Sequence, residues 1–135
     1  MDKLLSIVIL TYNEFEYTSD CLKSLGDVIT RDDVETIVID NGSAGEDART
    51  LKQLFPSITV IRNDVNLGVA RARNIGLTKA VGDFVLILDN DTIATPEAID
   101  ALIAHMREND DVGICGCVLR NADGLFHNCR QYPGL

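Results

Sequence analysis

The feature that most constrains this chain is a series of short runs of branched aliphatic residues, each closed by polar ones. Leu4 to Leu10 (L-L-S-I-V-I-L), Val34 to Ile39 (V-E-T-I-V-I), Phe84 to Leu88 (F-V-L-I-L) and Val112 to Val118 (V-G-I-C-G-C-V) show little apolar-polar alternation, and Ile58 to Ile61 is a shorter run of the same kind. Strands covered on both faces read this way, because neither side of the pleat meets water. The expectation is a sheet of five strands.

Helical periodicity fills the gaps. Phe15, Thr18, Leu22 and Leu25 fall on one stripe, as do Ile99, Leu102, Ile103 and Met106, while Glu46 to Leu54 and Leu67 to Ala80 supply two further helices. Thr95 suits an N-cap, Pro96 the first helical position, where no N–H is needed, and Glu97 the positive end of the helix dipole. Strands alternating with helices imply right-handed crossovers and an α/β fold: an open, mostly parallel, Rossmann-like sheet with helices on both faces. At 135 residues and 46% hydrophobic content the chain suits one compact domain, expected over 1–118. Leu119 to Phe126 then reads as a β-hairpin turned at Asp123-Gly124, so 119–135 is expected to be that hairpin and the start of another part.

With 21 acidic against 12 basic residues and a net charge of −9, nucleic acid and anionic membrane surfaces are poor partners, since both need clustered Lys and Arg. An anionic ligand would need local help from an arginine, a helix N-terminus or a shared metal ion. The cysteines Cys21, Cys115, Cys117 and Cys129 lack the spacing of a zinc site and read as reduced thiols. The Leu4 to Leu10 run is far short of the ~20 apolar residues of a membrane span. The expected location is cytoplasmic, with peripheral contact to the inner membrane in a full-length protein.

Chemistry in such a sheet gathers at the carboxyl ends of the strands. Those ends read Thr11-Tyr12-Asn13-Glu14, Asp40-Asn41-Gly42-Ser43, Arg62-Asn63-Asp64 and Asp89-Asn90-Asp91-Thr92, a rim of carboxylates and amides. No G-x-G-x-x-G or Walker-type loop follows the first strand, so phosphate must be met otherwise. Asp89 and Asp91 are hard oxygen ligands suited to Mn²⁺ or Mg²⁺, which bind substrate phosphates, although solvated turn residues would look the same. Asn41-Gly42-Ser43 reads as a turn letting backbone approach a flat ligand. Arg71 and Arg73 point roughly 200° apart at ~100° per residue, so only one can face the rim. Gly68 and Gly76, inside a helical pattern, suggest close packing or ligand approach. His105 and His127 receive no role.

Together these segments resemble the family 2 glycosyltransferases of GT-A fold. The likeness is carried by Ser6-Ile-Val-Ile-Leu-Thr-Tyr-Asn13, Val38-Ile-Asp-Asn-Gly-Ser43, Asn66-Leu-Gly-Val-Ala-Arg-Ala-Arg-Asn-Ile-Gly76 and Gly82-Asp-Phe-Val-Leu-Ile-Leu-Asp-Asn-Asp91, with Leu10 where the usual motif has proline. Val112-Gly-Ile-Cys-Gly116 and Leu119-Arg-Asn-Ala-Asp-Gly124 are similar to the rhamnosyltransferase-type branch in particular. The resemblance implies transfer of a sugar, with inversion, from a UDP- or dTDP-linked donor to a saccharide or lipid-linked acceptor in polysaccharide assembly. It implies a nucleotide-sugar site at Thr11, Tyr12, Asn13, Asp40, Asn41, Gly68, Arg73, Asp89 and Asn90, with Thr11 and Asp40 on the base and Arg73 near base or phosphate. Asp89 would reach ribose or metal, and Asp91, completing the D-x-D motif, would bind Mn²⁺ or Mg²⁺ directly. The catalytic Asp or Glu of this family lies well downstream of that motif, and Asp110, Asp111 and Asp123 read better as loop residues. The chain is therefore expected to be the donor-binding portion of a longer, truncated enzyme.

Two other readings compete. A non-catalytic nucleotide-sugar-binding module would keep the fold without the transfer. A two-component receiver domain is also acidic and α/β, but it needs an acidic pair after strand one, an Asp after strand three and a Lys after strand five, where this chain has Thr-Tyr-Asn-Glu, Arg-Asn-Asp and Leu-Arg.

Overall fold

The computed structural model describes residues 3–121 and 123–124. Its core is a four-stranded, wholly parallel sheet in the order β3-β2-β1-β4, formed by β1 (Leu5–Thr11), β2 (Val34–Asp40), β3 (Thr59–Arg62) and β4 (Phe84–Asp89). Helices α1 (Phe15–Ser24), α2 (Asp47–Leu54) and α3 (Val69–Lys79) connect successive strands, α4 (Pro96–Glu108) follows β4, and a 3-10 turn over Val28–Thr30 leads into β2. The chain forms two compact units, one up to Pro96 and one from Glu97. No helix among the described residues is long and apolar enough to cross a membrane.

The inner strands owe their place to their composition. Ile7, Ile9, Val38 and Ile39 are fully buried, each stabilising the fold by roughly 1.5–3 kcal/mol relative to exposure. The pleat sends alternate residues to opposite faces. Val8 and Leu10 of β1 share a face with Ile37 and Ile39 of β2, and α3 lies there: Ala72 joins the Ile37–Ile39 cluster, with Leu10, Ile61 and Ile75 around it. The opposite face carries Ile9, Thr11 and Asp40, and α1 reaches it through Thr18, whose hydroxyl lies 2.7 Å from that of Thr11. Gly76 lets α3 settle: a Cβ there would fall well inside contact distance of Val8 Cγ1, so close packing, not a ligand, accounts for this glycine.

The strand order excludes the receiver alternative. A receiver-type sheet runs 2-1-3-4-5, whereas here β3 lies outside β2 and β4 adjoins β1 directly.

Three expectations need correction. Val112–Val118 forms no strand; Ile114 is 92% exposed, and glycines at 113 and 116 weaken what an aliphatic count alone suggests. In consequence β4 is an edge strand among the described residues, not an inner one, with Val85 and Ile87 42% and 45% exposed. Gly68 is outside the helix: it precedes α3 at φ 78°, a left-handed conformation that explains glycine there without packing. At the expected hairpin turn Gly124 N–H donates to Asn121 O at 2.8 Å; the expected second strand, His127, Cys129 and the tail lie outside the described residues.

Candidate functional site

Parallel pairing brings the ends of β1, β2 and β4 to one lip of the sheet. In register, Thr11 lies beside Asp40 and Leu10 beside Asp89. Thr11 and Asp40 thus belong to the α1 face of the pleat and Asp89 to the α3 face.

The two loops nearest β1 and β2 are tied together. Asn13 takes φ 56°, a left-handed conformation that asparagine tolerates better than most side chains. Its backbone N–H donates to Ser43 Oγ at 2.8 Å and its Oδ1 accepts from Ala44 N–H at 2.8 Å, so the segments after β1 and β2 move as one. Tyr12, between them, is exposed.

Asp40 is wholly buried. Its Oδ1 accepts from Ser43 N–H at 2.9 Å, while Oδ2 has no hydrogen-bond partner among the described residues. Arg62 Nε lies 3.7 Å from Oδ2, an ion pair that offsets part of the desolvation, and Arg62 is fixed by the carbonyls of Ser43 (2.8 Å) and Gly45 (3.1 Å). A buried acceptor without a partner destabilises by about 1–3 kcal/mol, more when charged. Thr36 Oγ1, in the interior of β2, is buried without a partner among the described residues as well, so what sets Asp40 apart is its place at the strand end.

Asn41 is also buried, but its amide is committed to the protein. Oδ1 accepts from Asn63 Nδ2 and Leu67 N–H, both at 3.0 Å, and Nδ2 donates to Asn66 Oδ1 at 2.9 Å. It acts as a clamp between the loops after β2 and β3. The backbone that approaches Gly42 is that of Val65 and Asn66: a Cβ on Gly42 would lie 2.7 Å from the Val65 carbonyl carbon. The glycine expected to admit a flat ligand instead admits a neighbouring loop.

On the other side of β1, Arg73 reaches from α3 to donate to Asp89 Oδ1, and its Nε is buried without a hydrogen-bond partner among the described residues. Arg71 is exposed and turned away, as the helical period requires. Asp91 is exposed, and Asn90 donates to Thr18 Oγ1 at 3.1 Å. Cys21, buried on α1, places its Sγ 3.7 Å from the Asp89 carbonyl. Burial pushes this thiol up to about 12, and the Asp91 and Asp89 carboxylates add to the shift.

The donor chemistry fits a hard divalent ion: two carboxylates two positions apart, one held by a guanidinium and one open to solvent. Among the described residues no group of three or more His, Cys, Asp or Glu could enclose a metal, so an ion here would complete its sphere with ligand oxygens and water.

Sequence reasoning did not single out Ser43, Arg62, Asn66 or Thr18. Asn66 carries a signal that could have found it: its Oδ1 accepts from Gly68 N–H at 2.9 Å, an Asx turn opening a helix, foreshadowed by Asn-x-Gly before an apolar period. Thr18 falls on the apolar stripe of α1, which hides its hydroxyl.

Comparison with known proteins gives this rim a lineage. The profile described as "Glycosyl transferase family 2" matches residues 6–133. An uncharacterized glycosyltransferase of Methanocaldococcus jannaschii is 34% identical over 119 residues, 84% of this chain and 41% of the relative. An N-acetylglucosaminyl-diphospho-decaprenol L-rhamnosyltransferase of Mycobacterium tuberculosis is 26% identical across 100% of this chain and 48% of its own length. The chain thus spans about half the length of these curated relatives. Among solved structures, S. aureus TarS in complex with UDP-GlcNAc superposes with a TM-score of 0.67 at 25% identity, over 78% of this chain and 31% of that one. The matched span takes in every strand end of the rim, and the chain belongs to glycosyl transferase family 2.

Proposed function

We propose that this chain forms the donor-binding part of a metal-dependent, inverting glycosyltransferase that uses a UDP- or dTDP-linked sugar. The observation that carries the reading is Asp40: at the rim end of β2 its Oδ2 lacks a hydrogen-bond partner among the described residues, and it would accept an N–H from a nucleotide base once the half-exposed Arg62 beside it gives way. Thr11, adjacent in register, offers a hydroxyl to the same base. On the far side of β1, Arg73 would meet the diphosphate, and Asp89 and Asp91 would hold Mn²⁺ or Mg²⁺. Asn13, Asn41 and Gly68 shape the loops around the donor, with Tyr12 and Asn90 along its path. The TarS complex with UDP-GlcNAc supports a nucleotide-sugar donor.

A bound divalent cation would supply Lewis-acid stabilisation of the charge growing on the departing diphosphate. What the chain itself contributes is orientation and charge: Asp40 fixes the base, and Arg73 lies where negative charge accumulates. Inversion requires a base to deprotonate the acceptor hydroxyl, and we assign none among the described residues. Donor binding with little or no transfer by the chain alone is therefore expected. The acceptor is a saccharide or a lipid-linked one, and the location is cytoplasmic, in keeping with the free thiols of Cys21, Cys115 and Cys117.

The test is titration of UDP and dTDP with and without Mn²⁺. Binding should depend on the metal, and Asp91→Ala should abolish that dependence; equal affinity with and without metal would overturn the reading.

A further inference from the structure

One hydroxyl joins the two sides of the rim. Thr18 Oγ1, buried on α1, lies 2.7 Å from Thr11 Oγ1 and 2.8 Å from the Glu14 carbonyl, and accepts from Asn90 Nδ2 at 3.1 Å. A threonine hydroxyl has a single proton, so it serves Thr11 or the Glu14 carbonyl, never both. When Thr18 donates to Thr11, the Thr11 proton is free to point at a ligand. When Thr18 donates to Glu14, Thr11 has Thr18 as an acceptor for its own proton and turns inward. Asn90, one residue before Asp91, takes up one lone pair of Thr18 Oγ1, which makes that oxygen a poorer acceptor for the Thr11 proton and a better donor, and so favours the first arrangement.

The same face of α1 grips the end of β4 and the segment after it, at one further point each. Cys21 Sγ is 3.7 Å from the Asp89 carbonyl, and Ser24 Oγ accepts from Ala94 N–H at 3.0 Å. Of these contacts, only that of Thr18 continues to Thr11 and so to the Asp40 side.

We propose that Thr18 is a positioning residue that couples occupancy of the Thr11–Asp40 side to the placement of the Asp89–Asp91 segment, so that nucleoside and divalent cation favour each other's binding through the protein. The inference rests on the donor-site reading above. Uridine removes the diphosphate through which donor and cation would meet directly; a remaining contact of its ribose with Asp89 or the cation would survive Thr18→Val, whereas coupling through the protein would not.

The experiment is an NMR shift titration of uridine, with and without saturating Mg²⁺, on the wild-type chain and on Thr18→Val, Thr18→Ser and Ser24→Ala. Couplings between sites run from about fivefold upward, and Mg²⁺ should tighten uridine by about that factor in the wild type. Thr18→Val, of nearly the same volume, should bring the factor to about one, while Thr18→Ser and Ser24→Ala keep it. A Thr18→Val chain that folds and retains the wild-type coupling overturns the proposal. Hydrogen exchange in the ligand-free protein provides the independent arm: Thr18→Val should speed exchange of the Thr92 amide, which donates to the Asp89 carbonyl at 3.1 Å, and Thr18→Ser should restore it. Failure of the wild type to bind uridine or Mg²⁺ counts against the donor-site reading, and the Thr92 exchange rate then decides the tie by itself: unchanged exchange in Thr18→Val overturns it.

Discussion

Arg73, in the second turn of α3, donates through Nη2 to Asp89 Oδ1 at the end of β4, with the guanidinium one-third and the carboxylate nearly two-thirds exposed. A pair this open to water contributes about 0–1 kcal/mol to folding, so its value lies in where it holds the charge. Arg73→Ala should leave the melting temperature nearly unchanged and weaken UDP about tenfold, or ~1.4 kcal/mol, by calorimetric titration. Arg73→Lys should recover part of the affinity, since the charge returns without the planar fork. An unchanged UDP affinity in Arg73→Ala would remove Arg73 from the site.

Asp40 supports the complementary prediction. In Asp40→Asn the amide oxygen can still accept from Ser43 N–H, but an N–H₂ replaces the free acceptor and the charge facing Arg62 is lost. UDP binding should fall by tenfold or more, about 1.4 kcal/mol. Stability should drop by about 1–3 kcal/mol, read from urea unfolding, because the buried N–H₂ then faces the Arg62 guanidinium with no acceptor for its protons. Full retention of UDP affinity would contradict the base-binding role.

Gly76 separates packing from helix propensity. Alanine in a helix is favoured over glycine by about 1 kcal/mol, but a Cβ at this position collides with Val8 on β1. Gly76→Ala should therefore destabilise, by about 1–3 kcal/mol of net overpacking. Val8→Ala in the same chain should relieve part of that loss, a coupling measurable by a double-mutant cycle.

Cys21 predicts an alkaline limit. Its thiol is raised by burial, and by Asp91 and Asp89, from 9.0 to about 12, so the folded state resists ionisation that the unfolded chain allows. The associated stability is intact below pH 9 and is lost as pH rises from 9 toward 12. Cys21→Ala should flatten that alkaline decline, and in the native protein Cys21 should react with a thiol reagent after Cys117, which is exposed. Early modification of Cys21 at pH 8 would contradict its burial.

What the sequence discloses follows from how directly composition reports environment. Leu4–Leu10 and Val34–Ile39 are legible as inner strands because both of their faces are covered. Val112–Val118 carries a similar share of apolar residues, but the two glycines that break it were outweighed in the count. The polar strand ends are legible too, since they follow apolar runs in an alternating fold. Their division of labour is not: Asp40 and Asp89 look alike as strand-terminal carboxylates, and only pairing register shows that one is buried on the α1 side and the other exposed toward α3. The clamp role of Asn41 and the hydroxyl bonds of Thr18 are not legible for a related reason, because a side chain's partners come from segments distant in the chain.

The alternation of the pleat also shapes what can be held. Asp40 and Asp89 flank β1 from opposite faces, two strand spacings apart, about 10 Å along the hydrogen-bonding direction. A molecule touching both must sit astride the ends of the strands like a rider, one limb on each side. Long, jointed compounds with distinct chemistry at their two ends suit such a seat, and short rigid ones slip off it.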